Sequence, residues 1–104
     1  MLIEITDSNF EENVRNASSP FVVIFSSPWC GVCKKVAPRV ESVSEKYKKA
    51  QFGKIDITAN TQKPSEFQVL SIPTIILFKD GEEKGRTVGD ISEQELMQKI
   101  EEVL

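Results

Sequence analysis

Two uninterrupted apolar runs, Phe21-Val22-Val23-Ile24-Phe25 and Thr74-Ile75-Ile76-Leu77-Phe78, leave few architectures open to this chain. A strand with one wet face alternates apolar and polar residues, whereas a strand covered on both faces reads as a continuous β-branched and aromatic run. Both runs therefore belong inside a sheet with a layer on each side, and the first is the candidate for its centre. The segments between them supply the layers. Leu2 to Thr6 alternates as a half-covered strand does, and Asp7 or Ser8 is positioned to cap a helix through Phe10 and Val14. From Cys30 to Lys49, Val32, Val36, Val40, Val43 and Tyr47 recur at helical spacing. Pro38 lies inside that stretch and predicts a kink, because it removes one backbone hydrogen bond and crowds the preceding turn.

Phe52 to Ile57 reads as a further strand, with Phe52, Lys54 and Asp56 on one side, and a short helical piece around Pro64 to Phe67 precedes the second apolar run. Asp80-Gly81 marks a tight turn into a more polar edge strand, Glu83 to Val88. Ser92 with Glu95 is a capping-box signature for a last helix containing Leu96, Ile100 and Val103. The order β-α-β-α-β-α-β-β-α predicts an α/β fold, a central mixed sheet flanked on both faces by the four helices. Parallel neighbours need crossovers, and only the last two strands can form a hairpin. With 104 residues and no linker, repeat or low-complexity tract, a single domain over residues 1–104 is expected.

Charge and composition exclude several functions. A net charge of −3 gives no concentrated basic surface for nucleic acid or anionic lipid. No segment has the apolar length of a membrane span, and Met1 to Thr6 carries no export signal, so a cytoplasmic protein is expected. There is no histidine, the usual general base for a catalytic cysteine and the usual nitrogen ligand for zinc.

The two cysteines, Cys30 and Cys33, are separated by two residues. So short a loop offers little stabilisation by closure, which grows with loop length, so chemistry is the better reason for the pair. Cys-x-x-Cys where a strand passes into a helix is a redox signal. The free N–H groups and dipole of the helix start favour an anion, so Cys30 is the predicted nucleophile. Cys33 lies one turn further in, on the face of Val36 and Val40, and is the predicted resolving thiol. Two alternatives are an inert buried pair and half of a zinc site, and for the second no third cysteine exists to complete the ligand set. No metal is expected, and no cofactor beyond the Cys30–Cys33 disulfide itself.

The stretch Trp29-Cys30-Gly31-Val32-Cys33-Lys34 resembles the Trp-Cys-Gly-Pro-Cys-Lys active site of the thioredoxin family. Ile72-Pro73-Thr74 followed by an apolar strand and Lys79-Asp80-Gly81 is similar to that family's cis-proline segment and hairpin, and Val88-Gly89 resembles its late valine-glycine pair. The resemblance covers nearly the whole chain in order and implies the thioredoxin fold and a protein-disulfide reductase. It implies a cis bond at Pro73, backbone pairing of Ile72 with an extended substrate, and a docking surface of Trp29, Gly31, Val32, Ile72, Pro73, Val88 and Gly89. The implied partners are disulfide-containing proteins and a thioredoxin reductase linked to NADPH or ferredoxin, and a monomer is expected. The alternatives are a more oxidising exchange protein or isomerase, and a docking module that keeps the fold without the chemistry.

Three departures from the family pattern bear on mechanism. Ile24 stands where the family has a buried aspartate, and Ser26 where it has a tryptophan. Lys54 matches the family's lysine but lacks that aspartate as partner, and Asp56 is the candidate substitute because strand period puts both on one face. An ordinary surface ion pair is the competing reading. Val32 replaces the motif proline and restores an N–H able to reach a sulfur, which predicts stabilised thiolate and a more oxidising couple, with Gly31 and Val32 as tuning positions.

Overall fold

The first apolar run forms β2 (Phe21–Ser26), which lies at the centre of a five-stranded sheet in the computed structural model, and that model describes residues 1–104. The strands are β1 (Ile3–Ile5), β2, β3 (Gln51–Asp56), β4 (Thr74–Lys79) and β5 (Glu82–Val88), in the order β1-β3-β2-β4-β5. β3 is parallel to both β1 and β2, whereas β4 runs antiparallel to β2 and to β5. The helical segments are a π-helical turn at Glu11–Arg15, α1 (Gly31–Lys46), α2 (Gln62–Glu66) and α3 (Glu93–Val103).

The sheet divides the core in two, as the continuous apolar runs required. Val22, Ile24, Phe52, Ile75 and Leu77 pack under Val36, Val40 and Val43 of α1 and Leu96 and Ile100 of α3. Phe21, Val23, Phe25, Ile55, Ile76 and Phe78 face Phe10 and Val14 on the other side. Each such side chain contributes about 1.5–3 kcal/mol when fully buried, so the two central strands anchor both layers. The fold is the mixed α/β arrangement that the resemblance implied.

Local structure departs from the sequence reading in four places. The first helix is a single π turn, and neither Asp7 nor Ser8 caps it. Asp7 instead accepts the N–H groups of Gln62 and Lys63 at 3.1 and 2.9 Å, where its charge complements the start of α2. α1 stops at Lys46 rather than Lys49, because Tyr47 turns to extended backbone with φ −108° and ψ 98°. α2 begins at Gln62, ahead of Pro64, whose missing N–H falls in a first turn where it costs no helical bond. β3 ends at Asp56, whose carboxylate accepts the N–H and hydroxyl of Thr58 at 2.9 and 2.6 Å and turns the chain before Ile57 can continue the strand.

The cap of the last helix and the hairpin turn are as read. Ser92 and Glu95 form the complete capping box, each side chain accepting the other's N–H at 3.1 Å. Asp80 and Gly81 have φ of +56° and +79°, the positive values a two-residue hairpin requires. Pro38 is an exposed residue within α1, where it leaves the Lys34 carbonyl without its intrahelical donor.

Candidate active site

At the end of β2 the chain leaves the sheet through Ser27 to Trp29, and Cys30 becomes the N-cap of α1 with φ −94° and ψ 114°. Sixteen helical residues follow, so the positive end of a long helix dipole points at this sulfur. The Cys33 N–H donates to Cys30 Sγ at 3.1 Å. The N–H groups of Gly31 and Val32 have no acceptor within the chain and remain free at the helix start. The expectation that the Val32 N–H reaches a sulfur is therefore not met, and the donor that does so belongs to Cys33.

Cys30 and Cys33 are joined as a disulfide with their Cα atoms 5.2 Å apart. Their environments differ. Cys30 is half-buried, while Cys33 is 3% exposed and belongs to the buried face of α1 with Val36 and Val40. An incoming sulfur meets Cys30 first.

The second apolar run positions the opposite wall. The Ile72–Pro73 bond is cis, and the Ile72 carbonyl oxygen lies 4.0 Å from Cys30 Sγ, a contact rather than a hydrogen bond because a disulfide sulfur has no proton to donate. This loop is tied down on three sides. Thr74 Oγ1 donates to the Ser71 carbonyl at 2.6 Å, the Gly89 N–H to the Pro73 carbonyl at 2.8 Å, and Arg86 to the Phe67 carbonyl at 2.8 Å. Val88 pairs with Thr74 across the β4–β5 hairpin, which brings Val88-Gly89 beside Pro73. Gly89 adopts φ +89°, a conformation that favours glycine.

Trp29, Val32 and Val88 are 84, 41 and 58% exposed, so a rim of apolar side chains surrounds a half-buried sulfur. Leu70, at 95% exposure, extends that rim two residues before Ile72 and was not singled out from sequence. Its neighbours Val69, Ile72 and Pro73 are apolar too, so nothing local set it apart. Val32, counted with the apolar positions of α1, faces solvent instead, because the helix starts at Gly31 and its first turn lies above the sheet edge.

Behind the disulfide, a cleft of about 350 Å3 is lined by Cys33, Ser26, Lys34, Lys54, Asp56 and Glu4. Lys54 and Asp56 thus share a face, as strand period predicted, but Asp56 is bonded to Thr58 rather than to Lys54. The Thr58 hydroxyl first, and then its N–H, hold the Asp56 carboxyl below the usual aspartate range. Ile24 is fully buried on this face and lies directly opposite Lys54 in the β2–β3 register. Glu4 lies opposite Lys54 on its other side, in the β1–β3 register. Sequence reading passed over Glu4 because its neighbour comes from a strand fifty residues away. No three His, Cys, Asp or Glu side chains come together as a metal site, and no helix is long and apolar enough to cross a membrane.

Comparison with known proteins agrees with this geometry. The Thioredoxin family model matches residues 1–102. The chain is 38% identical over 104 residues to a thioredoxin of Staphylococcus saprophyticus, covering 99% of this chain and 98% of that one. It is 40% identical over 102 residues to a thioredoxin of Buchnera aphidicola, covering 97% and 94%. A bifunctional thioredoxin reductase/thioredoxin of Mycobacterium leprae is 39% identical over 103 residues, which are 98% of this chain and 22% of that protein. Since the match spans the chain from β1 through both cysteines and the Ile72–Pro73 turn to the last helix, the chain belongs to the thioredoxin family and is a thiol-disulfide oxidoreductase that reduces protein disulfides.

Proposed function

We propose that Cys30 attacks and Cys33 resolves, so that the chain acts as a dithiol electron carrier to disulfides in extended protein segments. The observation that supports this most is the asymmetry of the pair: Cys30 sits at the open helix start beside the Ile72 carbonyl, and Cys33 is buried behind it. The Cys30 thiolate, favoured by the helix dipole and the free N–H groups of Gly31 and Val32, attacks a substrate sulfur and releases the other as a thiolate. Cys33 then attacks Cys30 Sγ, which expels the second substrate sulfur and leaves the protein oxidised. Two electrons pass to the substrate, and no redox group beyond the two cysteines takes part.

Ile72 offers its backbone to the substrate strand, while Trp29, Val32, Pro73, Val88 and Gly89 form the shallow apolar surface against it. Lys54 and Asp56 line the cleft behind Cys33 and tune its charge. The partners are disulfide-bearing proteins and a thioredoxin reductase. The fusion of the two activities in the Mycobacterium leprae relative supports a reductase as the electron source, and either NADPH or ferredoxin suits it. The chain works as a cytoplasmic monomer through transient encounters, with neither nucleic acid nor membrane as partner.

The test is the reduction potential of the Cys30–Cys33 couple, measured by equilibration against dithiothreitol buffers with thiol counting. A value near thioredoxin's, about −270 mV, supports the general reductase; one at or above the glutathione pool replaces it with a narrower exchange protein. Val32→Pro is expected to be more reducing than the parent, because it removes one of the two free N–H groups that favour the thiolate.

A further inference from the structure

Resolution requires Cys33 to lose a proton at a site that is 3% exposed, in a chain without histidine. The cleft behind the disulfide reaches Cys33, and four charged side chains line it: Lys34 from α1, Lys54 and Asp56 from β3, and Glu4 from β1. A lysine ammonium carries donors and no acceptor, so neither lysine serves as the base. Asp56 accepts two hydrogen bonds from Thr58 on the single oxygen Oδ1, which favour the ionised form and weaken it as a base. Glu4 makes no hydrogen bond or ion pair through its carboxylate, so both oxygens are free. Ile3 and Ile5 on either side of it pack toward the opposite core, which leaves Glu4 on the cleft face. Lys54 stands between Ile24 and Glu4 in the sheet, so only its outer neighbour offers a proton acceptor.

We propose that Glu4 accepts the Cys33 proton in the resolving step, through water in the cleft. The inference rests on Cys33 being the resolving thiol. In the mixed disulfide, Cys30 Sγ is bonded to a substrate sulfur. The Cys33 proton passes to the Glu4 carboxylate, and the Cys33 thiolate forms the new bond to Cys30 Sγ. The Cys30–substrate bond breaks, its electron pair leaves on the substrate sulfur, and that sulfur takes up the proton as Glu4 returns to carboxylate.

Reduced protein mixed with a chromogenic aryl disulfide releases one aryl thiolate on attack and a second on resolution, so stopped-flow absorbance separates the two steps. Glu4→Gln is expected to leave the first phase unchanged and to slow the second by about a hundredfold at pH 7, the lower end of what general-base assistance contributes. At alkaline pH, where solvent alone ionises the thiol, the two rates converge. Glu4→Asp restores part of the rate, and Asp56→Asn slows the second phase less than Glu4→Gln does. A wild-type second phase in Glu4→Gln, or a loss that is the same at every pH, overturns the proposal. Cys33→Ser must keep the first phase and abolish the second; if it does not, the resolving role of Cys33 falls, and the role of Glu4 with it. Thermal melting of Glu4→Gln, at an exposed position, confirms that its fold is retained.

Discussion

Replacing Ile24 by aspartate tests how far the cleft behind Cys33 depends on an apolar central strand. Ile24 is fully buried among Val22, Val36, Val40, Phe52, Ile75 and Leu77. Truncating such a side chain costs about 2–5 kcal/mol in transfer and cavity energy, and Ile24→Ala measures that part alone. A neutral carboxyl without a partner adds about 1–3 kcal/mol. Ile24→Asp should therefore lose about 3–8 kcal/mol even when protonated, a large share of a typical total of about 5–15 kcal/mol. Desolvation raises the buried carboxyl above an ordinary aspartate pKa of about 3.9. Between the unfolded and folded pKa the native state holds a proton that the unfolded state has lost. Stability then falls as pH rises, by up to about 1.4 kcal/mol per unit. Urea melts of parent, Ile24→Ala and Ile24→Asp from pH 4 to 8 give all three quantities. If Ile24→Asp matches Ile24→Ala at pH 7 and shows no such fall, the reasoning is refuted: the carboxylate has then found Lys54 directly opposite, and adding Lys54→Met would restore the loss.

Three further outcomes follow from other parts of the molecule. Ser92→Ala removes the cap of α3 and should lower stability by about 1 kcal/mol, seen as a fall of roughly 4–8 °C in Tm by circular dichroism. Gly81→Ala should be the more damaging of two glycine replacements, because its Cβ would lie 2.3 Å from the Arg15 carbonyl oxygen at φ +79°. Gly89→Ala, with φ +89° and no atom within 4 Å, should lose only the left-handed backbone cost of about 1–2 kcal/mol, and urea midpoints rank the pair. Asp56, whose pKa is lowered by Thr58, adds stability that is present above the ordinary carboxylate range and lost as pH falls through its lowered value. The stability difference between parent and Asp56→Asn should accordingly shrink on acidification below about pH 4, as urea melts at each pH would record.

The strands, the helix order and the reactive pair were legible because each is written in residues a few positions apart. Apolar continuity in Phe21–Phe25 and Thr74–Phe78, three-and-four spacing of Val36, Val40 and Val43, the Ser92/Glu95 box and Cys-x-x-Cys all act over one or two turns of chain. Helix ends were less legible. Tyr47 continued the apolar spacing of α1, yet the chain turns out of the helix there to enter β3. The docking surface was read from resemblance, and its backbone fastening by Arg86 and Gly89 was not, since those partners come from β5 and the turn after it.

Local periodicity and capping thus determined the elements, their order and the identity of the redox pair, because those signals arise between near neighbours. Tertiary structure alone decided which carboxylate meets which partner. Asp7 caps a helix that begins 55 residues later, and Glu4 comes to face Lys54 across the sheet. It also decided that Cys30 stays reachable beside the Ile72 carbonyl. Both outcomes depend on strand register and layer packing, which bring distant segments together only when the whole sheet has formed.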